Sequence, residues 1–393
     1  MDTTNGYKKI KQIGKGSYGV VYSGIYKHGN PVAIKEYKVR NDIDDLIKNT
    51  ITYYENKGMK MDQKILNQID KNVRKQVFDG IMDDARAEIN MLKSLKDTCS
   101  YYSSCFHEIY IDKSSNTINI VIDLVEGIGL GKYMDKFRIG QRSRRFDILY
   151  NLTMGLNKIH KSGVAHQDIK FQNIMWDHKN HRARFIDWGI GCLVDKWCKP
   201  DIPCNKPCDT SGTAYTTPPE LDKFGSGNEK TGNMVYAHDI WSLGVVLYLW
   251  YTLDFYKNIN NKMYGGTEMG GLTKLAPKYW DATIMRENIQ KVTERDPLAA
   301  EIIGLMLTPN WKQRLENWPK IIELLTAPTN KYKIIKRAID SGNWQLLKIM
   351  LTDGDPMEKY MVRDIFVYSI IKARFLLPVV ANWCIITGRS ESR

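Results

Sequence analysis

The sequence predicts an α+β protein in which a small β-rich region precedes a larger, mainly helical region. Three observations support this prediction. Between Tyr7 and Lys35, short apolar strands alternate with glycine turns, which is the pattern of a sheet built from hairpins. Between Ile148 and Ile159, apolar residues recur at helical spacing. Between Ile240 and Trp250 nearly every residue is apolar, as in a helix buried on all sides.

Length, charge and cysteine content narrow the class of protein. At about 150 residues per domain, 393 residues allow two or three domains. The 57 basic and 44 acidic side chains give a net charge of +13, which favours acidic partners, nucleic acid or anionic membranes, although the lysines form no long run.

Seven cysteines and no signal peptide after Met1 predict a reducing, cytoplasmic or otherwise intracellular location. The apolar stretch at 240–250 is shorter than the roughly 20 residues that cross a bilayer, so no membrane span is expected.

The first strands enclose a glycine-rich turn. Gly14, Gly16 and Gly19 leave room for backbone N–H groups to approach phosphate oxygens. A dinucleotide-binding unit has similar spacing but continues into a helix after the third glycine. Here a second strand follows, and then Val32-Ala33-Ile34-Lys35. The turn is therefore expected to be a phosphate-binding hairpin.

A polar cluster follows the helix at 148–159. It consists of His166-Gln167-Asp168-Ile169-Lys170-Phe171-Gln172-Asn173 and, after a short gap, Asp187-Trp188-Gly189. Two carboxylates, an ammonium and an amide are suited to handling a metal-bound phosphate, although each aspartate alone could equally be a turn former. With the glycine-rich turn and the Val-Ala-Ile-Lys strand upstream in the same order, the chain resembles a eukaryotic-type serine/threonine protein kinase.

The resemblance implies a bilobal protein kinase fold. Glu88, in a helical stretch, would pair with Lys35, and their separation of 53 positions implies an insertion of roughly 30 residues. Apolar residues at helical spacing from Ile65 to Val73 predict one amphipathic helix there. The implied boundaries are a catalytic domain at 1–326, comprising a small lobe at 1–122 with the insertion at about 44–78, a hinge at 123–127 and a large lobe at 128–326.

The sequence beyond the catalytic domain is again helical in pattern. The break at Ala327-Pro328-Thr329 marks the boundary, and 327–393 would form a helical extension. Residues 338–354 resemble an ankyrin helix pair, with a weaker echo ending at Gly388. The alternative is a tail that packs on the large lobe. A partner protein could bind to this extension.

The resemblance also assigns roles to individual residues. Asp168 would orient the substrate hydroxyl and take its proton, Lys170 would stabilise the transferred phosphoryl group, and Lys35 would reach the ATP phosphates. Asn173 and Asp187 would hold magnesium, for which manganese could substitute. The residues implied to bind ATP are Ile13, Gly14, Lys15, Gly16, Ser17, Tyr18, Gly19, Val20, Val21, Ala33, Lys35, Asp123, Val125 and Met175, with Ile122 as gatekeeper.

Two features point to serine or threonine as the acceptor. A lysine two positions after Asp168 is the serine/threonine-kinase pattern, and Thr213 matches the threonine that contacts both residues in such enzymes.

Two further segments resemble large-lobe motifs of protein kinases, which small-molecule kinases of related fold lack. They are Pro218-Pro219-Glu220 and Asp239-Ile240-Trp241-Ser242-Leu243-Gly244. Glu220 would form a buried structural ion pair with Arg314.

Three positions depart from the common family pattern. Gln167 replaces the arginine that reads an activation-loop phosphate in many kinases, which puts switching by that route in doubt. Trp188 replaces a phenylalanine, and 177–189 resembles casein kinase two, whose members are constitutively competent and prefer acidic substrates. Gln172 lies where basophilic kinases carry a glutamate. Acidic protein substrates are therefore expected.

The segment after Asp187 carries four cysteines, namely Cys192, Cys198, Cys204 and Cys208. Free thiols are the expectation, since the C-x-x-C spacing of structural zinc sites is missing; zinc is the alternative.

The sequence is also compatible with two other functions. A pseudokinase or ATP-binding scaffold would act through the insertion and the extension. Nucleic-acid binding rests on the positive charge alone. The high lysine, asparagine and isoleucine content is typical of an AT-rich genome, such as that of a large DNA virus.

Overall fold

The chain forms two compact units. The structure, a computed structural model, describes residues 6–16, 19–26, 29–38, 43–112, 115, 117–132, 145–177, 182–194, 212–223, 232–259, 289–290, 292–294, 296–340, 365 and 368, and all that follows concerns these residues. The first unit contains Met1–Val125 together with Asp187–Gly189, and the second contains the remainder.

The first unit is built on an antiparallel five-stranded sheet. Its strands are β1 (Lys8–Gly16), β2 (Gly19–Ile25), β3 (Pro31–Lys38), β4 (Phe106–Asp112) and β5 (Thr117–Asp123), in the order β1-β2-β3-β5-β4. The strands predicted on both sides of the glycine-rich turn are thus confirmed. One face of the sheet packs into a cluster that includes Tyr7, Val32 and Ile34. Alternation along β3 places Ala33 and Lys35 on the opposite face.

The insertion forms two helices, and the amphipathic helix predicted from Ile65 to Val73 is confirmed as part of the second. Helix α1 spans Ile43–Asn56 and helix α2 spans Gln63–Ser94. Gly58 ends the first helix with a φ of 83°, a conformation that glycine adopts without strain. Asp62 then caps α2, because its carboxylate accepts a hydrogen bond from the N–H of Ile65 at 2.8 Å. The helix runs unbroken from the insertion to the turn that carries Glu88.

A disulfide closes the segment between α2 and β4. Helix α3 (Cys99–Tyr102) is followed by a short turn, and Cys99 bonds to Cys105, with Cα atoms 4.9 Å apart. That distance is within bridging range for two cysteines. The odd cysteine count led to the expectation of reduced thiols, and the structure differs from it here because the turn brings these two together.

The second unit is mainly helical. Its longer helices are α4 (Arg145–Lys161), α6 (Gly232–Ile259), α7 (Pro297–Met306), α8 (Trp311–Thr326) and α9 (Pro328–Asp340), and α5 (Pro219–Lys223) is a short one. The apolar stripe predicted between Ile148 and Ile159 lies on α4, where its leucines and isoleucines are fully buried. The predicted buried helix is the central part of α6. Both helix predictions are confirmed.

Short strands frame the polar loops of this unit. Strands β6 (Gly127–Gly129), β8 (Ile174–Asp177) and β9 (Arg182–Phe185) form one antiparallel sheet. Strands β7 (Val164–Ala165) and β10 (Cys192–Leu193) form another. The loop from His166 to Asn173 therefore connects two strands, and α4 leads into it.

The beginning of the C-terminal extension packs on the second unit. Helix α9 starts directly at Pro328 and buries Ile334 and Ile335, while Arg337 contacts Asp296 at 3.3 Å. Helix α9 therefore belongs to the second unit, while the nature of the rest of the extension stays a prediction. The ankyrin-like stretch lies almost entirely outside the described residues. None of the helices within the described ranges combines the length and apolar character needed to cross a bilayer.

The predicted ion pair of Arg314 and Glu220 is formed in the second unit. Arg314 on α8 is fully buried, and its guanidinium also donates to the carbonyl oxygens of Ala237 at 2.8 Å and Thr308 at 2.7 Å. Burial lowers the pKa of Arg314, while the charge of Glu220 and its hydrogen bond oppose this. The guanidinium thus joins α8, α6 and the segment after Thr217.

Replacing Arg314 should strongly destabilise the second unit. Arg314→Met leaves Glu220 buried without its partner, and breaking a buried pair in this way costs about 3–5 kcal/mol of unfolding free energy. Lys320→Met is the matched control, because Lys320 lies on the same helix in an exposed pair with Glu301 at 3.5 Å, worth at most about 1 kcal/mol. Denaturant titration measures both variants, and equal losses would contradict the structural role of Arg314.

Candidate active site

In the first unit, a buried lysine lies between two carboxylates. The Nζ atom of Lys35 is 2.9 and 2.8 Å from the two carboxylate oxygens of Glu88 and 2.8 Å from Oδ1 of Asp187. Lys35 and Glu88 are buried, whereas the side chain of Asp187 is 41% exposed. Burial alone would lower the pKa of Lys35, but the neighbouring charges, chiefly Glu88, raise it well above its ordinary value. The lysine is therefore a fixed cation beside a solvent-accessible carboxylate.

The glycine-rich hairpin joins β1 and β2 in the same unit. Gly16 pairs with Gly19, and a Cβ atom at Gly19 would lie 2.0 Å from the carbonyl oxygen of Glu36, so only glycine fits there. Ser17 and Tyr18, predicted to bind ATP, lie outside the described residues. Ile13 is 51% exposed, which leaves its side chain open to a ligand.

The residues predicted to surround adenine lie along β2, β3 and β5. Ala33 pairs with Ser23 on one side and with Ile122 on the other. The N–H of Asp123 donates to the carbonyl oxygen of Cys105 at 2.9 Å, so a bond from Asp123 to an adenine edge would have to come from its carbonyl group. Val125 follows at the end of the unit and is buried.

Trp188 anchors the Asp187 segment within the first unit. Its indole Nε1 donates to Oγ of Ser103 at 2.8 Å, and both side chains are buried. Ser103 lies between Cys99 and Cys105 of the disulfide. The unusual tryptophan is visible in the sequence, but its partner is not, because the two residues are 85 positions apart and no local pattern marks the contact.

In the second unit, the predicted catalytic groups converge on Asp168. Lys170 Nζ lies 2.6 Å from Oδ2 of Asp168, and Nδ2 of Asn173 lies 2.9 Å from the same oxygen. Thr213 donates from its hydroxyl to Oδ1 at 2.7 Å and accepts from Lys170 at 3.0 Å. Asp168 is thus held on both carboxylate oxygens. Met175 follows on β8, paired with Gly129.

A buried aspartate fixes the backbone of this loop. Asp239 on α6 accepts hydrogen bonds from the N–H groups of His166 and Gln167, both at 2.7 Å, and contacts His160 Nε2 at 3.0 Å. Although burial raises the pKa of Asp239, the hydrogen bond from His160 and the nearby histidine charges lower it below its ordinary value. Gln167 has a φ of 62°, which is uncommon for a residue with a side chain.

Tyr215 is a second contact that sequence analysis missed. Its hydroxyl accepts from the N–H of Phe171 at 3.3 Å and donates to Gln172 at 3.2 Å. Burial raises the pKa of Tyr215. With Thr213, this residue ties the segment before α5 to the loop at two points, and the only sequence signal for it is an aromatic residue two positions after Thr213.

Comparison with known proteins assigns the chain to a family. The family model described as "Protein kinase domain" matches residues 52–326, which is more than half of the chain. The chain belongs to the protein kinase family. The bilobal α+β fold and the serine/threonine-kinase resemblance predicted from the sequence are thereby confirmed.

Three curated relatives of this kinase share between 24% and 29% of their aligned residues with it. Serine/threonine-protein kinase STE11 of Saccharomyces cerevisiae is 24% identical over 259 residues, covering 62% of this chain and 33% of that protein. Serine/threonine-protein kinase Nek2 of Mus musculus is 29% identical over 182 residues, covering 41% and 35%. Calcium-dependent protein kinase 4 of Plasmodium berghei is 25% identical over 325 residues, covering 76% and 50%. This kinase therefore spans half or less of the length of each of these relatives.

One of the four cysteines after Asp187 differs from the expectation of free thiols. Cys192 is disulfide-bonded, so it cannot supply a thiolate to a metal. Cys198, Cys204 and Cys208 lie outside the described residues. Within the parts of the kinase that the structure describes, no group of three or more histidine, cysteine or acidic side chains is arranged to hold a metal ion.

The lowered pKa of Asp239 predicts a specific pH dependence. A carboxylate with a depressed folded-state pKa stabilises the fold above its unfolded value, near 3.8, and loses this contribution as the pH falls through the lower folded-state value. The difference in unfolding free energy between the parent and Asp239→Asn should therefore shrink below a pH of about 4. Denaturant titrations across this range measure it, and a pH-independent difference would contradict the role given to the charge.

Proposed function

We propose that this kinase transfers the γ-phosphate of ATP to serine or threonine hydroxyls in proteins. The bridge formed by Thr213 is the observation that carries the proposal. The Thr213 hydroxyl is hydrogen-bonded to both Asp168 and Lys170. A substrate hydroxyl that reached the same two side chains would meet a base and a cation. The serine/threonine kinases among its relatives support the same acceptor class.

Each group of the second unit has a task in this chemistry. Asp168 would orient the acceptor hydroxyl and take its proton, since its carboxylate is held by hydrogen bonds and remains partly exposed. Lys170, 2.6 Å from Asp168, would place positive charge beside the transferred group. Thr213 would keep the two side chains aligned.

The donor atoms present fit a nucleotide and a hard cation. In the second unit, Asn173 commits its amide nitrogen to Asp168, so its amide oxygen is the atom that would bind magnesium. In the first unit, the partly exposed carboxylate of Asp187 would serve as a magnesium ligand. Manganese prefers the same kind of ligand. When bound, magnesium neutralises charge on the nucleotide phosphates. Lys35 and the glycine-rich hairpin would bind the phosphates themselves.

The environment of Gln167 supports the proposal that activity does not depend on an activation-loop phosphate. It is fully buried, carries no charge and donates from Nε2 to the carbonyl oxygen of Ile190 at 3.2 Å. A phosphate is recognised best by an arginine fork, which this position lacks. The excess of positive charge on the chain favours acidic substrates.

Removing the proposed base should abolish transfer and spare nucleotide binding. Asp168→Asn keeps the shape of the side chain but cannot accept a proton, and losing a general base costs about 10²- to 10⁴-fold in kcat. Glu301→Gln is the control, because it makes the same chemical change at an exposed site of the same unit. A magnesium-ATP assay on serine and threonine peptides measures both. An Asp168→Asn variant as active as the parent would refute the proposal.

The same assay separates the kinase from a pseudokinase or ATP-binding scaffold. The proposed enzyme phosphorylates serine or threonine peptides, prefers those with acidic neighbours and leaves tyrosine peptides unmodified. Lys35→Met is the control that should modify no peptide. A parent protein that binds ATP but likewise modifies no peptide would favour the scaffold.

A further inference from the structure

Tyr37 contacts the buried ion pair of the first unit and has no role in the chemistry described so far. It lies on β3 two positions after Lys35, so both side chains emerge from the same face of the sheet. The tyrosine is 3% exposed, and its hydroxyl donates a hydrogen bond to Oε2 of Glu88. Its ring centre lies 5.4 Å from the ammonium of Lys35.

The donors of Lys35 show why this contact matters. An ammonium group has three N–H donors, and here they point to two oxygens of Glu88 and one of Asp187. To bind a phosphate oxygen, Lys35 must redirect at least one of them. A carboxylate can accept about four hydrogen bonds, and Tyr37 supplies one that does not come from the lysine.

We propose that Tyr37 is a positioning residue that holds Glu88 in place while Lys35 binds the nucleotide. This inference rests on the proposed function, because it assumes that Lys35 serves ATP. With Tyr37 bonded to Oε2, the carboxylate keeps its orientation when the lysine turns to a phosphate. Glu88 then still neutralises a cation that is buried with it.

Two observations support the inference. A buried hydroxyl requires a hydrogen-bond partner, and Glu88 is the partner that Tyr37 has here. Burial, together with the negative charge of Glu88, raises the pKa of Tyr37, so the hydroxyl stays protonated and remains a donor at neutral pH.

Tyr37→Phe tests the inference, because it keeps the ring and removes only the hydroxyl. A hydrogen bond to a charged group is worth enough to change affinity by about tenfold or more. The KM for ATP should therefore rise about tenfold, while the KM for the peptide acceptor stays unchanged. A smaller folded fraction would lower kcat and leave both KM values alone, so this split distinguishes positioning from simple structural support.

Tyr7→Phe is the matched control. Tyr7 is 5% exposed, hydrogen-bonds to Glu108 and packs with Val32 and Ile34 on the opposite face of the same sheet. The Tyr7→Phe variant should be less stable than the parent but should have the same KM for ATP. In a Glu88→Gln background, Tyr37→Phe should raise that KM by less than about twofold, since the charged acceptor is gone.

The outcomes separate this inference from the proposed function. An inactive parent protein would refute the proposed function itself. An active parent whose KM for ATP is unchanged in Tyr37→Phe, or equally raised in Tyr7→Phe, would overturn the positioning role alone. If Tyr37→Phe does not fold, Tyr37→Leu replaces it in the same assay; failure of both to fold would assign Tyr37 to the core and also overturn the inference.

Discussion

The burial of the Lys35 ammonium is the constraint on which the first unit depends. A buried cation is stable only beside opposite charge, so the sheet that carries Lys35 must be met by a helix carrying an acid. Helix α2 supplies Glu88, and its unbroken length connects that residue to the insertion. The insertion is therefore joined to the ion pair by one continuous helix and is more than a surface loop.

The two sets of functional side chains are each fixed by a buried contact far away in sequence. Asp187 stands beside Lys35, and the neighbouring Trp188 is anchored on Ser103. Asp168 is held by Thr213, while Asp239 fixes the backbone just before it. In both units, a residue without a proposed chemical role holds one that has such a role. Contacts of this kind restrict the orientations that a side chain can adopt.

The sequence predicts the fold and most of the candidate site because their signals are local. Strand alternation, helical periodicity and the spacing around Asp168 are visible without tertiary information. The partners Ser103, Tyr215 and Tyr37 are not, since a serine or tyrosine gains its role only from a contact distant in sequence. Periodicity also predicts the helix at Ile65 to Val73, but it does not register the break before that helix, which Gly58 and the cap at Asp62 impose.

The most direct test of this account is phosphoryl transfer by Glu88→Gln, which keeps the size of the side chain and removes the charge opposite Lys35. We expect kcat/KM for ATP to fall at least about tenfold, because the ammonium of Lys35 loses the charged partner that positions it, and a hydrogen bond to a charged group is worth about 1.5–3 kcal/mol. Unchanged kcat/KM in a folded Glu88→Gln protein would contradict it.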